Sequence, residues 1–210
     1  MKHATCSIAV TLLAAAGVAA VGSGAPEDGR AAGPRTVASV ERGAATPAAE
    51  YTADGRLEFP GHYREWIYLS SGLDMRYTEE GGNPQHSTFD NVFVDPRAYR
   101  EFLRTGTWID GTVLVLENRG AAEQGSINRH GRYQTGDVMG LEVHVKDTKR
   151  FRGGWAFVAF RGREAAGAIP QSADCYSCHR EHGALDTTFV QFYPTLLETA
   201  TRKGTLAAGR

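Results

Sequence analysis

The chain has 210 residues and a formal net charge of −1. That length suits one domain with additions, and the balanced charge provides no bulk field to hold nucleic acid or an acidic membrane surface. Twenty-five glycines favour turns and short strands over long helices, and three cysteines exclude a fold stapled by several disulfides.

Lys2 and His3 precede an apolar run from Ile8 to Ala20, and small residues follow it. A basic start, a short apolar core and small residues before a cut make up the export pattern. Residues 1–25 are read as a signal peptide cut near Ala20 or Ala25, and the mature chain as periplasmic. The run is shorter than the roughly 20 residues a membrane-spanning helix needs. Residues 26–50 hold almost no large apolar side chain and read as a disordered Ala/Gly/Pro-rich linker. The folded domain is expected over 51–201, with 202–210 as a tail.

Tyr63 to Ser70 is aromatic and β-branched and reads as a strand, followed by a polar loop to residue 88. Phe89 to Val94 alternates, with Phe89, Asn91 and Phe93 on one face and Asp90, Val92 and Val94 on the other. Asp95-Pro96 supplies a helix cap and a first-turn proline. Tyr99, Phe102 and Leu103 then fall at helical spacing, which predicts a helix over 96–104 that stops before Gly106. Asp110-Gly111 turns into a strand from Thr112 to Glu117, and 118–132 reads as a loop. Val138 to Lys146 alternates again, with Leu141, Val143 and Val145 opposite Glu142, His144 and Lys146. Gly153-Gly154 leads into a strand from Trp155 to Phe160, and 161–174 reads as a loop. Thr187 to Thr201 reads as helical, with Pro194 as a break. Short strands in succession with an early and a C-terminal helix predict an α+β fold, a mainly antiparallel sheet with helices to one side.

Cys175-Tyr176-Ser177-Cys178-His179 is the C-x-x-C-H pattern of c-type haem attachment. Two thiols at this spacing reach the two vinyl groups of one porphyrin, and the adjacent histidine then ligates the iron. One covalent haem c on Cys175 and Cys178, with His179 as axial ligand, is therefore expected. A dithiol redox pair needs a βαβ context that is missing here. A zinc site completed by His182 is cramped and has no second cysteine pair. Candidates for the sixth iron position are Met75, Met139, His62, His86, His130, His144 and His182; Met139, on a predicted strand, reads as core.

Tyr63-Arg-Glu-Trp66, Phe89-Asp-Asn-Val-Phe-Val-Asp-Pro96 and Asp110-Gly-Thr-Val-Leu-Val115 resemble the cytochrome P-460 family. So do Leu141-Glu-Val-His-Val-Lys-Asp147, Gly153-Gly-Trp-Ala-Phe157, and a late C-x-x-C-H followed by Phe189-Val-Gln-Phe-Tyr-Pro194. The resemblance runs from about Tyr63 to Leu197 and takes in the related cytochromes c′-beta. It implies a mainly antiparallel β fold, a homodimer, and a haem with histidine on one side and an open site on the other. It also implies either hydroxylamine oxidation or the binding of nitric oxide and other diatomic gases. In enzymatic members a lysine is bonded to the porphyrin edge; the matching position here is Leu116, and no lysine occurs between residues 77 and 145.

Phe89, Phe93 and Leu116 are expected as an apolar wall of the distal pocket. Glu142 and His144 are candidates for a proton relay, with Asp90 as a third group; the alternative places Glu142 and His144 in solvent on a one-sided sheet. The reading is an exported mono-haem cytochrome whose open iron binds nitric oxide or a related small nitrogen oxide. Two alternatives stay open: a hydroxylamine- or nitric oxide-oxidising enzyme that passes electrons to another cytochrome, and a six-coordinate electron carrier.

Overall fold

The computed structural model describes residues 48–75 and 87–208. The expected signal peptide, most of the expected linker and His86 lie outside the described residues. Five strands form one antiparallel sheet in the order β1-β2-β3-β4-β5: Ile67–Leu73, Thr88–Val94, Val113–Ala122, Tyr133–Lys146 and Trp155–Phe160. Three helices accompany it: α1 Pro96–Thr105, α2 Asp174–His182 and α3 Pro194–Lys203. The α+β class is as expected.

The α1 boundaries follow from local chemistry. The Asp95 carboxylate accepts from Ala98 N at 2.8 Å and from Val113 N at 3.0 Å, so one side chain caps the helix and ties it to β3. Pro96 needs no hydrogen-bond partner at the first turn, and Gly106 closes the helix at φ 76°. Ala98 and Phe102 are buried, and Phe102 packs on Trp108 with ring centroids 4.3 Å apart. Burying such a side chain stabilises by about 1.5–3 kcal/mol.

Three boundaries differ from expectation. Tyr63–Glu65 is a single 3-10 turn, and β1 starts at Ile67; Tyr63 is buried beneath the sheet as a plug and not as a strand residue. The expected loop 118–132 is shorter, because β3 runs to Ala122 and β4 begins at Tyr133. Polar ladders sustain that extension where apolar patterning fades: Arg119 Nη1 donates to Thr135 O, and Asn91 exchanges hydrogen bonds with Gln134. The expected helix 187–201 is divided. Val190–Phe192 is a 3-10 turn and α3 starts at Pro194, since the residue before a proline is kept out of the helical region; Tyr193 sits at φ −108°, ψ 87°. Beyond α3, Thr205 Oγ1 still donates to Gly106 O and Ala207 N to Ala184 O.

Both faces of the sheet are covered. One carries Val113, Val115, Leu141, Val143, Val145 and Val158 and packs under the segment around Leu57, Phe59 and Tyr63. Within it Glu117, 2% exposed, receives Arg64, Arg119 and the Tyr63 hydroxyl. The other face carries Val94, Leu114 and Trp155 and packs against α1, α3 and the chain around Leu185 and Val190. The functional candidates lie on this second face.

Candidate functional site

Register decides which side chains meet. Val92, Leu116 and Glu142 lie side by side across β2, β3 and β4, and the next row is Val94, Leu114, His144 and Phe157. All share the helix-covered face, because alternate residues of a strand point the same way. α2 lies over their far end. Cys175, Cys178 and His179 are spaced i, i+3 and i+4, which puts them on one side of the helix. Both thiols are free and half-buried. Burial, with the charges of Glu142 and Asp174, raises the Cys175 thiol.

His179 Nδ1 lies 2.8 Å from the Thr187 carbonyl oxygen. A carbonyl only accepts, so Nδ1 carries the proton and Nε2 keeps a lone pair for a metal. Burial lowers the pKa of His179 against the opposing pull of that hydrogen bond, which keeps the ring neutral. The Thr187 carbonyl is presented by a two-residue turn in which Leu185 pairs with Thr188 and both central residues have positive φ, 48° at Asp186 and 62° at Thr187. For a β-branched residue this conformation costs on the order of 1–3 kcal/mol.

His144 is 7% exposed. Its ring stacks on Phe157 at 4.1 Å, leans on Trp155 at 4.3 Å and meets His179 edge-on at 5.1 Å. Its Nε2 is buried without a partner among the described residues, as are Trp155 Nε1 and Thr187 Oγ1. Burial first, then the proximity of His179, pushes the pKa of His144 well below the usual imidazole range. Between the sheet and α2 is a cleft of about 60 Å³ walled by Val92, Leu114, Leu116, Phe157 and Phe189, with Glu142, His144 and His179 on its rim. Glu142 is exposed, yet desolvation by its surroundings and then the nearby charge of Asp90 raise its pKa.

The fold thus brings Leu116, Glu142, His144 and His179 to one cleft, with Cys175 and Cys178 beside it. Asp90 shares the face but lies further along, where Asn118 Nδ2 donates to it at 2.5 Å. Phe89 and Phe93 do not join: they pair with Arg119 and Val115 and point to the opposite face, where Phe93 packs on Tyr63 and Tyr68. The alternative of a one-sided sheet fails for His144, which is covered, while Glu142 is exposed as that alternative expected. Met139 is 58% exposed and not core, Met75 is 50% exposed, and His62, His130 and His182 are exposed. Sequence reasoning missed Val92, Leu114, Phe157, Phe189 and Thr187. Val92 and Phe157 had a signal in strand alternation; Thr187 had none.

Residues 60–190 match the family model for cytochrome P460, more than half of the chain. The chain belongs to the cytochrome P460 family. No curated protein matches it. The family implies a haem cofactor, and the residues of this cytochrome P460 member fit one. Two free thiols and an imidazole with a free Nε2 share a helix face, and His144, whose Nε2 is buried without a partner among the described residues, meets that imidazole edge-on. The facing wall is apolar, as a porphyrin requires. The cleft is smaller than a porphyrin, and α2, whose His179 and Tyr176 rest on Phe157 and Phe189, forms one of its walls.

Proposed function

We propose that this cytochrome P460 member is an exported, periplasmic mono-haem c-type cytochrome whose iron keeps one open position that binds nitric oxide or a related small nitrogen oxide. Cys175 and Cys178 would hold the haem covalently, and His179 Nε2 would ligate its iron. The observation that carries the reading is the apolar cleft that opens beside His179, a histidine already committed through Nδ1 to a backbone carbonyl. Haem supplies an iron that binds a diatomic ligand and changes oxidation state by one electron. Val92, Leu116 and Phe189 exclude water and disfavour charged ligands. Glu142, at the open rim, is the group placed to hold or release a proton near a bound ligand. We also read the protein as a homodimer that exchanges electrons with another cytochrome, with exposed Tyr68 and Leu73 on edge strand β1 available for contact.

A second reading has its own observation. His144 Nε2 is buried, unpartnered and near His179; as a sixth ligand it makes the protein an electron carrier. Hydroxylamine or nitric oxide oxidation is the remaining alternative. Leu116, where the resemblance places the porphyrin-linked lysine, lines the cleft and cannot form that bond. The test is the optical spectrum of the ferric and ferrous protein, made with a cytochrome c maturation system, with and without carbon monoxide, for the parent and His144→Phe. A high-spin parent that takes carbon monoxide at once and is unchanged in His144→Phe supports the open site. A low-spin parent that resists carbon monoxide until His144 is replaced supports the carrier. Steady turnover of hydroxylamine with an electron acceptor supports the enzyme, and a chain without covalent haem ends all three.

A further inference from the structure

The turn that holds His179 is built against the local preferences of its own sequence. A two-residue hairpin with positive φ at both central positions is relaxed by Asn-Gly or Asp-Gly, yet here the pair is Asp186-Thr187. Something outside the turn must hold it. Lys146, at the end of β4, points its ammonium into this region: Nζ lies 2.5 Å from Asp186 Oδ2 and 2.9 Å from the Trp108 carbonyl, and the side chain is only 17% exposed. Trp108 grips the other side of the turn, because its indole Nε1 donates to Thr188 Oγ1 at 2.8 Å, and that hydroxyl donates onward to Leu185 O at 2.6 Å. The turn also abuts the end of α2. A Cβ on Gly183 would stand 2.5 Å from His179 O and 2.9 Å from the Thr187 carbonyl carbon, so only glycine permits the approach.

A turn whose sole task was to reverse the chain would carry glycine at its second central position and would need no ion pair. What the arrangement delivers is the Thr187 carbonyl at 2.8 Å from His179 Nδ1. Strain held by surrounding contacts is a reason to look for a role, and the group presented here is the partner that fixes ring orientation and tautomer for a metal-binding histidine.

We infer that Lys146 is a positioning residue for the axial histidine: by pinning Asp186 it holds the Asp186–Thr187 turn so that the Thr187 carbonyl keeps the His179 Nδ1 proton and directs Nε2 to the metal. The inference rests on the haem reading above. A firm hydrogen bond at Nδ1 makes the imidazole a stronger donor, which strengthens the iron–histidine bond and favours ferric iron.

The test uses the haem-loaded protein and compares the parent with Lys146→Met, Lys146→Arg and Asp186→Asn. It reads the ferrous iron–histidine stretching band by resonance Raman and the midpoint potential by titration. Lys146→Met is expected to lower and broaden the band and raise the potential. Lys146→Arg, which keeps the cation, restores both toward the parent. Asp186→Asn shifts both in the same direction by less; asparagine tolerates positive φ, so this variant keeps the turn if Lys146→Met folds poorly. A parent with covalent haem whose band and potential match those of Lys146→Met and Asp186→Asn overturns the inference and leaves the haem reading standing. A parent without covalent haem overturns the haem reading, and the positioning role with it.

Discussion

Glu117 provides a stability prediction with a definite pH dependence. Its side chain is 3% exposed on the face of the sheet away from the cleft, and its oxygens receive Arg64 Nη2 at 2.7 Å, Arg119 Nε at 2.8 Å and the Tyr63 hydroxyl. Burial alone opposes ionisation, but the hydrogen bonds from Arg119, Tyr63 and Arg64 outweigh it and bring the carboxyl from 4.5 down to about 2. A folded-state pKa below the unfolded one means that the unfolded chain takes up the proton first. The stabilisation is therefore complete above pH 4.5 and is lost as pH falls toward 2. Its size is about 3 kcal/mol at 1.36 kcal/mol per pKa unit, a large part of the 5–15 kcal/mol that holds a typical domain. Glu117→Gln mimics the protonated carboxyl at every pH. Urea unfolding of parent and variant is expected to differ by about 3 kcal/mol at pH 7, with the difference closing between pH 4.5 and 2. Every other titrating group is common to both chains, so the difference isolates this carboxylate. A gap below about 1 kcal/mol at pH 7, in the range of an ordinary exposed ion pair, or one that does not change with pH, refutes the reasoning.

Further expectations concern the site. His179→Ala should keep covalent haem but change spin state and ligand binding, which an optical spectrum reads directly; an unaltered spectrum removes His179 from the axial position. Cys175→Ser with Cys178→Ser should leave no haem on the denatured chain, checked by peroxidase staining of a gel. Burial and the charge of Asp90 raise the pKa of Glu142, so ligand release from the parent should vary with pH at higher pH than an ordinary carboxylate would give. In Glu142→Gln the dependence should flatten; an identical profile in the two proteins takes Glu142 out of any proton relay.

How far the sequence could be read depends on how local each signal was. Asp95, Pro96 and Gly106 bracket α1 within a few residues, and the structure places Asp95 and Gly106 as its caps and Pro96 as its first residue. Cys175, Cys178 and His179 are spaced by one helical turn, so their meeting required no tertiary information. The pocket wall was different. Alternation separates Phe89, Asn91 and Phe93 from Asp90, Val92 and Val94, but not which set shares a face with Leu116. That follows from the pairing of Val92 with Leu116 and of Phe93 with Val115, which the turn and loop geometry sets and a single strand does not record. Burial of His144 depends on Phe157 and Trp155 from β5 and His179 from α2 arriving together. Thr187 and Lys146 are 41 positions apart in sequence, and neither carries a motif that announces their common task.

The helix that carries Cys175, Cys178 and His179 is fastened to the fold chiefly through Tyr176 and His179. α2 buries no residue of its own. It is tethered by the Tyr176 hydroxyl, which accepts from Phe157 N on β5 at 3.3 Å and donates to Ile169 O at 3.1 Å, and by His179 on its turn. Swinging it outward breaks these polar contacts and also parts His179 from Phe157 and Phe189 and Tyr176 from Phe157. During biosynthesis the two thiols come late in the chain, after every strand of the sheet has been made. On the haem reading proposed above, a ligase joining haem to them would act after the sheet is complete, and the bound cofactor would then join α2 to the face it covers.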